Sequence, residues 1–240
     1  MPAFEILTGS ALGTLLGVRH ALEPDHLAAV STLMTTPGGA DTRQSVSRVQ
    51  AAMLGASWGV GHTLSLVVVG AALVLLRAEL PARIADVFEL LVALMLVGLG
   101  ARAIVVAIRQ GPIGPARTHH HGRVVHRHPG APAHVHVGRW TLARRPLIVG
   151  AVHGLAGSGA LTALVLATLT STAARLTYMT LFGLGSTLGM ALLSGALGWP
   201  LAKLSANRTM ARALSAAVGC FSIGLGVFWG YPLIAKLMSA

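Results

Sequence analysis

Thiols and acids are scarce in this 240-residue sequence, and each scarcity removes a class of chemistry. One cysteine, Cys220, allows no intrachain disulfide, no Cys-x-x-Cys redox pair and no thiolate zinc cage. Seven Asp and Glu stand against 18 Lys and Arg, and no acid follows Glu89. Charged residues are 10% of the chain, against roughly 25% in soluble domains, while 54% is apolar and the mean hydropathy is +0.71. A soluble core of this size would need a polar shell that so few charges cannot supply. The formal charge of +11 raises the question of nucleic acid, but aromatics are only 5% and the basic residues fall between apolar runs. A topology signal accounts for them, and no nucleic-acid partner is expected. The opening MPAFEILTGSALG lacks a basic leader and a small-residue cleavage pattern, so the first apolar segment is expected to stay in place.

What is present is a set of long apolar runs. A helix crossing the hydrocarbon core needs about 20 mostly apolar residues. Val49–Leu76, Pro146–Ala174, Leu176–Ala202 and Ala213–Ala235 contain no Asp, Glu, Lys or Arg, except that Arg175 separates the second from the third. A fifth run, Leu90–Ile108, is interrupted only by Arg102, which can snorkel. The sixth, about Phe4 to Met34, is apolar at both ends and polar in its middle. The expected fold is therefore an all-α integral membrane protein of six transmembrane helices. If they alternate in direction, 13 basic residues lie on one face and four on the other. By the positive-inside rule both termini are expected to be extracytoplasmic and the 109–145 loop cytoplasmic, in a multi-pass chain expected in the cell inner membrane.

The two halves echo each other. Gly17-Val18-Arg19-His20 is similar to Gly150-Ala151-Val152-His153, Gly59–Leu64 to Gly183–Leu188, and Val97–Gly100 to Ile223–Gly226, at ordered offsets of 133, 124 and 126. Three helices per copy is an odd number, so the copies would lie upside down relative to each other, with a binding site near the midplane between them. The expected organisation is a 3+3 inverted repeat: 1–108, a His/Arg-rich loop 109–145, and 146–240.

The first run carries the chemistry. Ionisable groups inside a membrane cost several kcal/mol unless paired or coordinated, yet His20, Glu23, Asp25 and His26 follow Arg19 within it. On a straight helix at about 100° per residue, His20, Asp25 and His26 would diverge. Pro24 has no N–H for the His20 carbonyl and pushes Glu23 from helical angles. The helix is expected to break there, turning the three side chains toward one point and freeing the His20 carbonyl as a further ligand. Glu23 is expected to pair with Arg19, four residues earlier. His62 and His153, each in a Gly-rich stretch, complete an inventory of four imidazoles and one carboxylate. Such a set suits nickel, cobalt or zinc rather than all-oxygen magnesium or calcium.

His20-x4-Asp25-His26 within Arg19-His-Ala-Leu-Glu-Pro-Asp-His-Leu resembles the signature of the nickel/cobalt transporter superfamily, and Gly61-His62-Thr63 resembles its Gly-His-Ser motif. Six spans, a His-rich central loop and Val152–Ala160 resemble the urease-accessory and metal-efflux branches rather than the eight-helix uptake permeases. The resemblance implies transport of Ni2+ or Co2+, Zn2+ being a further candidate. Those permeases carry second-half acids that this chain lacks. His153 with Ser158, Ser186 and Thr187 is the local substitute.

Residues 109–145 hold His119, His120, His121, His126, His128, His134 and His136, with seven arginines, four prolines and no acid. The segment cannot bury a core, is expected to be mobile, and reads as a low-affinity metal-gathering tract. The competing reading is a polybasic linker on anionic lipid. Other classes fit poorly. An intramembrane serine protease needs a histidine within reach of Ser158, and none follows His153. His-Glu-x-x-His and the Gly-x4-Gly-Lys-Ser/Thr nucleotide loop are absent, so neither zinc-protease nor ATP chemistry is expected of this polypeptide. An amino-acid exporter would not explain intrahelical histidines. The surviving alternative is a nickel-binding membrane accessory protein that docks a urease or hydrogenase maturation partner or a cytoplasmic metallochaperone. Import or export, and the oligomeric state, are not legible.

Overall fold

The computed structural model describes residues 2–35, 48–76, 80–109, 117–121, 124–128, 134–137, 140–156, 168–169, 171–204 and 208–239. Among these the helices are α1 (Pro2–His20), α2 (Pro24–Thr35), α3 (Arg48–Leu76), α4 (Ala82–Arg109), α5 (Arg144–Ala156), α6 (Thr172–Leu204) and α7 (Arg208–Ser239). Within α3, α4, α6 and α7 lie stretches long and apolar enough to cross a membrane, by length and composition. The sequence leads one to expect two more spans. The first is split into α1 and α2, and of Pro146–Ala174 the structure describes α5 up to Ala156, 168–169 and the start of α6.

The 109–145 segment is not without regular backbone. Strands β1 (Arg117–His121) and β2 (Val124–His128) form one antiparallel hairpin, and β3 (His134–Val137) and β4 (Trp140–Ala143) a second. In β3, His134–Val137, His and Val alternate at a strand period, a signal that composition alone had hidden.

The long helices are apolar all round, so nothing amphipathic orients them. Outward positions such as Leu64, Leu94, Leu188 and Leu192 are exposed, as lipid-facing residues are. Inward faces are made by small residues that let backbones touch. On α1, a Cβ at Gly17 would overlap the Phe182 carbonyl of α6. On α5, a Cβ at Gly150 would overlap the Trp58 carbonyl of α3. Gly61 of α3 likewise meets the Leu147 carbonyl, and Gly185 of α6 the Thr14 carbonyl. Further along, Gly100 meets the Gly219 carbonyl and Gly226 the Ala93 carbonyl, between α4 and α7. Every one of these contacts has its counterpart at the offsets of 133, 124 and 126 noted in the sequence.

Hydroxyls supplement the packing. Ser222 Oγ donates to the Leu96 carbonyl at 2.8 Å, Thr63 Oγ1 to the Gly183 carbonyl at 2.7 Å, and Ser186 Oγ to the Gly17 carbonyl at 3.2 Å. Thr63 and Thr187, at matching offsets, share a hydroxyl contact of 2.8 Å. Two apolar clusters result, one around Ala21, Ala28, Trp58, Leu96 and Met190, the other around Leu66, Tyr178, Met179 and Phe182. The polar residues of the α1–α2 break lie between them: His20 is against Phe182 and His26 against Trp58.

Candidate metal centre

α1 ends at His20 and α2 begins at Pro24, so the break falls where Pro24 requires it. Pro24 occupies the first position of α2, where a missing N–H costs nothing, and the Leu27 N–H reaches back to the Glu23 carbonyl at 3.0 Å. Asp25 stands in the first turn of α2, where a carboxylate complements the helix dipole. The connecting turn is closed by Leu22 N to Arg19 O and Glu23 N to His20 O, both 3.0 Å. The His20 carbonyl thus gives one of its two lone pairs to the turn.

His20, Asp25, His26, His62 and His153 are all buried and come together. His62 is delivered by α3, and Gly154 of α5 packs on its backbone, which sets His153 beside the cluster. The donors form two overlapping triads rather than one point: His20, His26 and His62, and Asp25, His26 and His153, the candidate ligand atoms within each lying within 4.8 Å. Ring centroids are 4.3 Å apart for His20 and His26, 4.2 Å for His26 and His153, and 5.5 Å for His26 and His62.

Carboxylates dictate which nitrogens are open. An ionised carboxylate oxygen only accepts, so each ring nitrogen facing one carries the proton. His20 Nδ1 donates to Glu23 Oε2 at 2.9 Å, His26 Nδ1 to Asp25 Oδ1 at 2.9 Å, and His153 Nε2 to Asp25 Oδ2 at 2.7 Å. The lone pairs then sit on His20 Nε2, His26 Nε2 and His153 Nδ1. His20 Nε2 faces His62 Nε2 at 3.3 Å, and two ligands about 2.1 Å from one ion at 90–109° would stand about 3.0–3.4 Å apart. Among the described residues, His26 Nε2, His62 Nδ1 and His153 Nδ1 are buried with no hydrogen-bond partner. Unsatisfied buried nitrogens cost about 1–3 kcal/mol each; a cation held by His26 Nε2 or His153 Nδ1 would absorb that cost there.

Glu23 pairs with His20, not with Arg19, whose side chain is exposed. Ser186 and Thr187 are engaged in the helix–helix bonds above, Ser158 lies outside the described residues, and the loop histidines are placed on β1, β2 and β3 by backbone register alone. Sequence reasoning missed Trp58, whose ring lies 5.2 Å from His26 and 5.7 Å from His153 and whose Nε1 has no partner. The available signal was its position four residues before His62, on the same helical face.

Residues 7–228 match the family model of NicO, high-affinity nickel-transport protein. The chain is 30% identical over 233 residues to the urease accessory protein UreH of Bacillus sp. (strain TB-90), covering 97% of this chain and 95% of that one. No solved structure gives a significant match.

Proposed function

The chain belongs to the NicO family of nickel-transport proteins, and from that premise we propose that it carries Ni2+, with Co2+ as a second cargo, through the buried His/Asp centre by alternating access. The observation that carries this reading is the set of buried imidazoles, of which His26 Nε2, His62 Nδ1 and His153 Nδ1 have no partner, while Asp25 orients the His26 and His153 rings and Glu23 the His20 ring. His20, His26 and His62 are the ligands, and His153 is the alternate donor reached through the shared His26. Asp25 and Glu23 act on the rings as ring-orienting carboxylates do in metal sites. Nitrogen donors favour nickel and cobalt over magnesium.

Six spans in two inverted repeats complete the proposal, with both termini extracytoplasmic in the inner membrane. The matched glycine–carbonyl contacts and the Thr63–Thr187 pair support that symmetry. His20 and His153 are then equivalent, while His62 is matched by Ser186, so the two halves share one nitrogen-rich centre.

Proteoliposomes loaded with a nickel-sensitive dye test the reading. Wild type admits Ni2+, competed by Co2+ but not Mg2+, and His26→Ala does not. The similarity to a urease accessory protein favours one other reading, a nickel-binding accessory that moves no ion. It would show wild-type binding in detergent with no flux in either direction.

A further inference from the structure

We propose that the cavity beside this centre is the cation's way in and out, and that Glu89 is the carboxylate that first holds the hydrated divalent ion there. The inference rests on the metal-centre reading above. The cavity, of about 900 Å3, is lined by Glu89 on α4, by His20, Glu23, Asp25 and His153, and by mostly apolar residues of α7 that include Phe228.

Three observations bear on it. First, Asp86, one turn before Glu89, is held by Lys236 at 2.7 Å, whereas among the described residues no cation pairs with Glu89. One acid of the turn has an ion-pair partner and the other has none among the described residues. Second, His153 lines the same cavity, is only 3% exposed, and has Nδ1 without a partner while Asp25 holds Nε2. The cavity thus has an exposed carboxylate and a nearly buried histidine of the centre in one lining. Third, size permits it: six waters at roughly 30 Å3 each occupy about 180 Å3, so the ion can arrive with its hydration shell.

The gradation of donors is chemically ordered. A carboxylate takes a hydrated ion through water, and the imidazoles deeper in select for nickel or cobalt as that water is shed. Apolar walls keep the Glu89 field from being screened, and a focusing cleft of this kind raises local cation concentration about 10- to 1,000-fold. Glu89 lies seven residues into α4, about 10 Å from its start, and the wall residues are in the last turns of α7. The opening is at that end of the molecule, extracytoplasmic on the sidedness proposed above.

The test uses the full chain in proteoliposomes with Ni2+ alone. Glu89→Gln raises the half-saturating Ni2+ concentration about tenfold at low ionic strength, more than it lowers the maximal rate; salt shrinks the difference, and Glu89→Asp restores most of it. Independently, Glu89→Cys in a Cys220→Ser background reacts with an impermeant thiol reagent from one side only, and Ni2+ slows the reaction. Unchanged half-saturation and salt dependence in Glu89→Gln, or a cysteine at 89 silent from both sides, overturns the vestibule. Undiminished Ni2+ binding by His26→Ala would instead reject the metal centre itself. If Glu89→Gln does not insert, the Asp and Cys variants decide.

Discussion

Asp25 is the residue whose two oxygens matter separately. Each fixes the proton of one ring, His26 on one side and His153 on the other. Asn at this position offers one acceptor and one donor, so only one ring keeps its tautomer. Asp25→Asn should weaken Ni2+ binding about 10- to 100-fold, as loss of a ring-orienting carboxylate does, with the protein still inserted; titration calorimetry in detergent reads it. Glu23→Gln acts on His20 alone and should cost less, because the amide oxygen can still accept from Nδ1. His26→Ala and His62→Ala remove ligands outright and should each lose more than Asp25→Asn. An Asp25→Asn protein binding as tightly as wild type would contradict the orienting role.

At the scale of the helix, the break between α1 and α2 is the element that makes the centre. Pro24→Ala removes the obstacle to a continuous helix and should raise helical circular dichroism slightly while Ni2+ affinity falls, because His20 and Asp25 then diverge. Gly17→Val and Gly150→Val push a side chain into a neighbouring carbonyl. Each should cost about 1–3 kcal/mol, as overpacking does, read as a lower unfolding temperature in the same detergent. These features were open to sequence reasoning to different degrees. The break was legible because proline is a local steric rule. The convergence of His20, Asp25, His26, His62 and His153 was legible because buried ionisable groups have few other uses. The partner of Glu23 was not: Arg19 and His20 are both in reach along the chain, and only the packing around His20 decides between them. Nor was the 3.3 Å approach of His20 to His62, which depends on how α3 sits against the turn. The second loop hairpin was obscured by a count of histidines that ignored their alternation with valine in β3.

For the molecule as a whole, the hairpin segment and the buried centre are expected to act separately. Deleting 117–137 should reduce the number of Ni2+ ions bound per chain but leave the tight site and its flux, measured by equilibrium dialysis and dye-loaded vesicles. Loss of the tight site on that deletion would tie the two together. The symmetric contacts carry a further consequence at Thr63 and Thr187. Thr63 now spends its proton on the Gly183 carbonyl and can accept from Thr187. Either hydroxyl can be the donor of their shared bond, and Gly59, the counterpart of Gly183, packs on Thr187. On the inverted-repeat proposal, the reversed wiring would have Thr63 donate to Thr187 and Thr187 to the Gly59 carbonyl, a second setting of equal bond count at the contact between the two halves.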